Sequence, residues 1–272
     1  MAQPAVSRIV SELEDRLGVK LLERTTRRVK LTEPGRYLLQ ASQEILGRID
    51  LAEKTARLLD SGTKAILRIG YTTITGHSLL PDIVREFRLS NPDVRLELTY
   101  LHSPAQRDGI LQDQIDLGLI EGSFQSSEIE SRRVARHRLV ALLPPRHPLA
   151  AKATLTIADL AREQLVMGTN AEWPTLRRIV VDAFQKAGEV LDVGQEASSL
   201  TGILGLVTAG VGITVFCGMP RFCGEHAVAP RPIVTDPPVI VETHLAWRRT
   251  HTGGAIHRFI ETSEKVGAGY ML

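Results

Sequence analysis

A regular apolar seam between residues 38 and 59 restricts the fold of this chain more than any other feature. A helix of about 28 residues is roughly 42 Å long, which exceeds what one compact domain needs. We therefore expect the same helix of a second subunit as its partner, with packing on its own domain as the alternative. Thr32 is the predicted N-cap, and Ser61-Gly62 is the predicted end. Apolar or small residues recur at the alternating steps of four and three that are typical of a coiled coil, at Leu38, Ser42, Ile45, Ile49, Ala52, Ala56 and Leu59.

The first eight residues have the character of a helix that meets DNA. Pro4 lies in the first turn, and Ser7 and Arg8 follow on an exposed face. Such a start directs side chains and backbone N–H groups towards a DNA groove. An ordinary capped helix is the alternative.

A run of cations follows that helix at residues 24–30, with no acidic residue among them. Val29, Leu31 and Thr32 alternate in the manner of a short strand, so we predict a basic hairpin, or wing. Cations there would contact phosphate, although a solvated charge run is the alternative. The four cations are Arg24, Arg27, Arg28 and Lys30.

Strand and helix patterns alternate after Gly62. Strands are predicted at 66–71, 94–100 and 115–120, with helices between them, which indicates an open, mainly parallel sheet. Ligands of such sheets bind beyond the carboxyl ends of the strands. The turn at Thr72 to Thr75 and Ser103 both follow strands and precede helices, so their hydroxyls can converge on one carboxylate. Plain N-capping is the alternative for each.

A second unit of the same type is predicted from residue 137. Its strands at 137–143, 164–167 and 210–216 alternate with helices at 176–187 and 198–209, and a strand at 239–247 returns to the first unit. The loop from Gly168 to Pro174 would face the cleft from the other side. Two lobes joined by crossing strands form a clamshell that closes on small ligands.

Composition excludes several classes of function. Hydrophobic content of 43% and charged content of 24% are those of a globular protein, and no apolar run approaches the roughly 18 residues of a membrane helix. We expect a cytoplasmic protein without cofactor or metal, because Cys217 and Cys223 have no metal-type cluster beside them. No nucleophile elbow, Walker loop or metal-ligand helix is present, so we expect no catalytic residues and no enzyme.

Three segments in order resemble the winged helix-turn-helix of LysR-type transcriptional regulators: residues 2–8, 13–24 and 31–35. Further runs at 115–118, 147–149 and 209–213 resemble the effector domain of that family. The resemblance implies a homodimer or homotetramer that binds double-stranded operator DNA. It also implies a small-molecule inducer in the interlobe cleft, and the sensor looks closest to the branch that responds to carboxylic acids such as muconate.

The expected fold class is α/β. Residues 1–33 form a partial winged helix-turn-helix and residues 34–62 a linker helix. Residues 63–265 form a two-lobed, periplasmic-binding-protein-like effector domain, with lobe I at 63–136 and 241–265 and lobe II at 137–240. Carried over by position, the resemblance assigns DNA contacts to Gln3, Pro4, Ser7, Arg8, Arg28 and Lys30. It assigns effector contacts to Thr73, Ile74, Ser103, the loop from Asn170 to Trp173, Leu200 and Thr201.

Members of this family carry roughly 30 residues before the motif, which form the first helices of the head. We therefore hypothesise a truncated form, whose apolar residues between 5 and 22 have lost packing partners. A small-molecule binding protein that has lost DNA binding is one alternative function. An enzyme on a two-lobed scaffold is another.

Overall fold

The computed structural model describes residues 3–24, 28–60, 65–122, 126–218, 228–251 and 253–270. The chain divides into two compact units, Met1–Thr63 and Lys64–Leu272. Each unit is described by itself below.

The first unit is a helix, a hairpin and a long helix. Strands β1 and β2 pair antiparallel, with Glu23 opposite Lys30, so the predicted wing is confirmed. The long helix covers the predicted seam in one uninterrupted element. The elements are α1 (Gln3–Leu17), β1 (Leu22–Arg24), β2 (Val29–Leu31) and α2 (Glu33–Asp60).

A buried carboxylate joins α1 to the wing. Glu14 is 4% exposed and accepts the backbone N–H groups of Leu21 at 2.8 Å and of Leu22 at 3.0 Å. Its second oxygen pairs with the ammonium of Lys20 at 3.0 Å. The hydrogen bonds from Leu22 and Lys20 lower the pKa of Glu14 to about 2. The charged form of Glu14 therefore holds the chain where it leaves α1 and enters β1.

The start of α2 packs closely against the same turn. The hydroxyl of Thr32 accepts the N–H of Gly35 at 3.0 Å, which confirms the predicted N-cap, and donates to the carbonyl of Lys20 at 2.6 Å. A Cβ at position 35 would overlap the carbonyl of Leu21. Glycine is thus required where α2 meets the wing.

Both helices of the first unit leave apolar residues in solvent. On α2, the seam residues Ile45 and Ile49 are 60% and 50% exposed. On α1, Val6 and Ile9 are also exposed. Within the described part of this unit, these side chains are not buried by other elements.

The second unit contains alternating strands and helices, joined by 3-10 turns at Pro148–Ala151 and Ala268–Tyr270. Most of the predicted elements occur, with ends shifted by a few residues. The elements are β3 (Ala65–Tyr71), α3 (Thr73–Gly76), α4 (Leu80–Ser90), β4 (Val94–Tyr100), α5 (Ser103–Leu111), β5 (Leu117–Glu121), β6 (Ile129–Leu143), β7 (Leu155–Thr156), α6 (Ile157–Leu160), β8 (Leu165–Gly168), α7 (Pro174–Lys186), β9 (Val193–Ala197), α8 (Leu200–Thr208), β10 (Thr214–Cys217), β11 (Ala229–Val234), β12 (Ile240–Arg248) and α9 (Gly254–Gly267).

The main sheet is mixed rather than mainly parallel, which corrects the sequence prediction. Its order is β4-β3-β5-β12-β6-β11-β7, with β10 also pairing with β6. Only the pairs β3–β4, β3–β5 and β11–β7 are parallel, because β12 runs antiparallel between β5 and β6. Strands β8 and β9 form a separate parallel pair.

Two large apolar cores divide this unit into two lobes, and a smaller third cluster in the first lobe consists of Ile110, Ile115, Ile120, Ile129 and Ala246. The strand predicted to start at residue 137 is the second half of β6, a single strand that passes from one core to the other. Val134 and Ala135 of β6 belong to the core of the first lobe, whereas Leu139 and Leu142 belong to the core of the second lobe. The first core also contains Ile69, Phe87, Leu117 and Phe259, and the second contains Leu165, Phe184, Val207 and Phe216.

Candidate functional site

A cleft lined by both lobes lies at the carboxyl ends of β3, β4 and β5. It holds about 330 Å³ of space free of protein atoms, part of it open to solvent. The first lobe contributes Thr72, Thr73, Ile74, Tyr100, His102, Ser103 and Glu121. The second lobe contributes Glu172, Trp173, Pro174, Thr175 and Leu176.

The threonine-rich turn after β3 is a short helix with its own cap. The hydroxyl of Thr72 accepts the N–H of Thr75 at 3.4 Å, and the N–H of Thr72 donates to the hydroxyl of Thr75 at 3.0 Å. This reciprocal pair is a capping box. The N-capping alternative therefore holds for Thr72, which nevertheless also lines the cleft.

The hydroxyls of Thr72 and Ser103 converge on a single carboxylate, which belongs to Glu121. The hydroxyl of Ser103 donates to Oε2 of Glu121 at 2.8 Å, and the hydroxyl of Thr72 donates to Oε1. The N–H of Glu121 donates back to the oxygen of Ser103 at 3.1 Å. The sequence predicted that these hydroxyls donate to the carboxylate of a bound anion; instead Thr72 and Ser103 donate to a carboxylate of the protein itself, which the sequence reasoning did not foresee. The available signal was a lone charge at the end of the apolar run from Leu117 to Ile120.

Burial raises the pKa of the Glu121 carboxyl above its usual range, although the hydrogen bonds from Thr72 and Ser103 act in the opposite direction. Desolvation penalises the charged form more than these hydroxyls stabilise it. A further hydrogen-bond donor in the cleft would therefore stabilise the charged form of Glu121.

The opposite wall is the first turn of α7. Trp173 is the N-cap residue, and its indole N–H donates to the carbonyl of Ser198 at 3.1 Å. No side chain caps this helix, and the first N–H groups of a helix have no intrahelical acceptor. Pro174, Thr175 and Leu176 of this turn line the cleft. The second lobe therefore presents hydrogen-bond donors and the positive end of a helix dipole.

A histidine and a glutamate approach each other from the two lobes. Nε2 of His102 lies 3.5 Å from a carboxylate oxygen of Glu172, and both side chains line the cleft. The ring of His102 also meets the edge of Tyr100, with centroids 5.5 Å apart. Glu172 belongs to the predicted effector loop from Asn170 to Trp173, whereas Tyr100 and His102 were not selected from the sequence, although they lie at the end of β4 beside the predicted Ser103.

Three predicted effector residues lie away from this cleft. Asn170 and Thr201 are exposed, and neither is among the residues that line it. Leu200 is buried and lines a smaller pocket behind Trp173, together with Met167 and Phe216. Leu200 and Thr201 begin α8, whereas Asn170 lies in the loop between β8 and α7. Their contact with an effector remains a prediction.

The predicted DNA-binding residues lie on α1 and the wing. Arg8 is exposed and pairs with Glu12 of the next turn at 2.9 Å. The guanidinium of Arg24 donates to the hydroxyl of Ser7, so the wing strand contacts α1. Arg28 and Lys30 are exposed. The backbone of Gln3 and Pro4 is helical but their side chains are not described, and Arg27 lies outside the described residues.

Neither a membrane-spanning helix nor a metal-type cluster occurs in the described part of the chain. No described helix is long and apolar enough to cross a membrane. No group of three or more His, Cys, Asp or Glu side chains among the described residues is arranged to hold a metal ion. Cys217 is a buried free thiol, and Cys223 lies outside the described residues.

A basic winged helix-turn-helix and a two-lobed domain with an interlobe cleft define a DNA-binding protein of the ligand-responsive class. Residues 1–36 match the bacterial regulatory helix-turn-helix protein of the lysR family, and residues 60–267 match the LysR substrate binding domain. The chain belongs to the LysR family of transcriptional regulators.

Individual relatives agree with this assignment. The transcriptional regulator AlsR of Bacillus subtilis (strain 168) is 35% identical over 218 residues, which is 79% of this chain and 71% of AlsR. The crystal structure of full-length CbnR with its target DNA has the same fold, with a TM-score of 0.79 and 24% identity over 98% of this chain and 91% of that one. The BenM effector binding domain with its effector benzoate has a TM-score of 0.67 and 24% identity over 76% of this chain and 94% of that one.

Proposed function

We propose that this regulator binds operator DNA with an affinity that is set by a small carboxylate-bearing effector in the cleft between its lobes. The main support for this proposal is the cleft, which polar side chains from both lobes line. A ligand that contacts both walls binds one arrangement of the lobes better than another and so shifts their equilibrium. The benzoate of the BenM effector domain is an example of such a ligand in a relative.

The carboxylate of the effector would lie against the first turn of α7. The N–H groups of Thr175 and Leu176 and the hydroxyl of Thr175 are candidate donors there. The phenol of Tyr100 accepts from Thr73 at 3.2 Å and keeps its own proton for the ligand. The effector contacts that we propose among the predicted residues are Thr72, Thr73, Ile74, Ser103 and Trp173.

Operator contacts would come from α1 and the wing. Arg8 is exposed on α1, where a guanidinium can donate two hydrogen bonds to guanine. Arg28 and Lys30 of the wing are suited to phosphate, which carries no sequence information. Ser7 would contribute through its link to Arg24.

The chain would act as a homodimer or homotetramer in the cytoplasm, where the DNA is. The exposed seam residues Ile45 and Ile49 support pairing of α2 with its copy. We propose residues 1–33 as the DNA-binding domain, 34–62 as the linker helix and 63–265 as the effector domain, with lobe II at 137–240. We also propose that the chain is not an enzyme, so a bound acid should be recovered unchanged.

Fluorescence anisotropy of the full chain tests this function. The probe is DNA from the region upstream of its own gene, titrated across salt concentrations, with and without benzoate or its hydroxy and aminomethyl derivatives, and against an unrelated duplex. Specific, salt-dependent binding that responds to the acid supports the proposal. Thermal stabilisation by the acid without any DNA binding would instead support a small-molecule binding protein.

A further inference from the structure

The described lining of the cleft is acidic. It includes the carboxylates of Glu121 and Glu172 and contains neither lysine nor arginine. The imidazole of His102 lies 3.5 Å from the carboxylate of Glu172, where it would be charged only if protonated. A simple monocarboxylic acid would add another anion without supplying a partner for Glu121. Like charges in a partly buried site oppose one another, so the ligand must offer more than a carboxylate.

The two hydroxyls beside Glu121 have no proton left for a ligand. Each hydroxyl has one proton to donate, and Thr72 and Ser103 both donate theirs to Glu121. Ser103 also accepts the N–H of Glu121, so its position is fixed. Immediately beside Glu121 a ligand therefore meets hydrogen-bond acceptors.

Glu121 has capacity for a further donor. An ionised carboxylate offers about four lone-pair sites, and the side-chain hydroxyls of Thr72 and Ser103 occupy two of them. Glu121 also lines the cleft, so a ligand can reach it. Burial raises the pKa of this carboxyl, and a further donor from a ligand would stabilise its charged form.

We infer that the effector is a bifunctional acid whose hydroxyl or amino group donates to Glu121 while its carboxylate faces the first turn of α7. This inference rests on the proposed function, because it assumes that the effector occupies this cleft. Glu121 then determines specificity, because an acid that has no hydroxyl or amino group leaves the remaining lone pairs of a desolvated carboxylate without a donor and binds weakly.

Matched benzoates test the inference on the full chain by calorimetric titration at pH 7. The probes are the ortho, meta and para isomers of hydroxybenzoate and aminomethylbenzoate, each paired with the methylbenzoate of the same substitution. We expect at least one donor-bearing isomer to bind about tenfold or more tightly than its methyl partner. Equal affinities within every pair would overturn the inference while leaving a carboxylate effector in place.

Two substitutions of Glu121 sharpen the test. Glu121→Gln should reduce the preference for a charged aminomethyl group by about tenfold or more, because the amide has no charge. Glu121→Leu should remove the preference for the donor-bearing acids, because the leucine side chain accepts no hydrogen bond. Unliganded melting temperatures verify folding of the variants, and Glu261→Gln, an exposed position on α9, is the matched control.

The possible outcomes distinguish the role of Glu121 from the binding of a carboxylate effector. A ratio of aminomethylbenzoate to methylbenzoate affinity that is the same in the native chain and in Glu121→Gln, or a donor preference that persists in Glu121→Leu, would overturn the role of Glu121. Absence of binding by every acid, in a chain that still binds its operator, would overturn the carboxylate effector of the proposed function and this inference with it.

Discussion

Ser103 and Glu121 are joined by two hydrogen bonds of opposite direction. The serine hydroxyl donates to Oε2 of Glu121 at 2.8 Å, and the backbone N–H of Glu121 donates to the serine oxygen at 3.1 Å. The pair connects the start of α5 to the end of β5, next to the cap of α3. The orientation of the Glu121 carboxylate therefore depends on a side chain of a neighbouring element.

Replacement of that serine tests its role in the cleft. Ser103→Ala removes one of the two hydroxyl donors to Glu121, so we expect affinity for the tightest-binding acid of the benzoate series to fall about tenfold. Operator affinity should stay unchanged. Calorimetric titration and anisotropy measure the two affinities, with Ser90→Ala on the exposed end of α4 as the control. An unchanged titration would remove Ser103 from the effector site.

The exposed guanidinium of Arg8 gives a prediction for DNA recognition. Arg8→Ala should weaken specific operator binding by about 1 to 3 kcal/mol, the typical discrimination of a bidentate contact to a base. The ion pair with Glu12 is exposed, so its loss should affect folding little. Anisotropy on operator and on random DNA separates the possibilities. An equal loss on both would assign Arg8 to phosphate.

Local patterns were sufficient to predict much of the fold. Thr32 was identified as a cap from its place before Glu33-Pro34-Gly35, and its hydroxyl accepts the N–H of Gly35 as expected of a cap. The hydroxyls of Thr72 and Ser103 were selected because each follows a strand, and the parallel pairing of β3 with β4 and β5 brings them together. Both inferences need only neighbouring residues and one rule of sheet topology.

Long-range partners could not be predicted in this way. The acceptor of both hydroxyls, Glu121, is 49 residues from Thr72 and 18 from Ser103. The antiparallel insertion of β12 between β5 and β6 depends on a strand near the other end of the chain, so the sheet was predicted to be mainly parallel. Glu14 likewise accepts a backbone N–H from the turn after α1, and the hydrophobic periodicity of the sequence does not predict the geometry of that turn.

The exposed seam of α2 predicts the site of self-association. Ile49→Glu places a charge where we expect the same helix of a second subunit, and burial of an unpaired charge is strongly unfavourable. The variant should be monomeric at concentrations where the native chain is dimeric or larger. Sedimentation velocity measures this, and Gln43→Glu adds the same charge on α2 away from the seam. An oligomeric Ile49→Glu chain would exclude the seam as the interface.

The lowered pKa of Glu14 predicts how stability of the head depends on pH. A carboxyl whose pKa falls from 4.5 to about 2 on folding stabilises the folded state above about pH 4.5, and this contribution is lost as pH falls towards 2. Glu14→Gln should therefore lower the urea midpoint at pH 7, and the difference from the native chain should shrink as pH falls from 4.5 to 3. A difference independent of pH would mean that the charge of Glu14 is not the cause.

Replacement of two glycines of α2 by alanine should change the stability of the head and the helix in opposite directions. A Cβ at Gly35 would overlap the carbonyl of Leu21, so Gly35→Ala should destabilise the head by about 1 to 3 kcal/mol through forced backbone shifts. A Cβ at Gly47 meets nothing within 4 Å, so Gly47→Ala should stabilise the helix by about 1 kcal/mol through its better propensity. Hydrogen exchange of the amides of Leu21 and Leu22 reports the first change, and exchange along α2 reports the second. Equal protection of the two wing amides in Gly35→Ala and the native chain would show that α2 does not need this close approach.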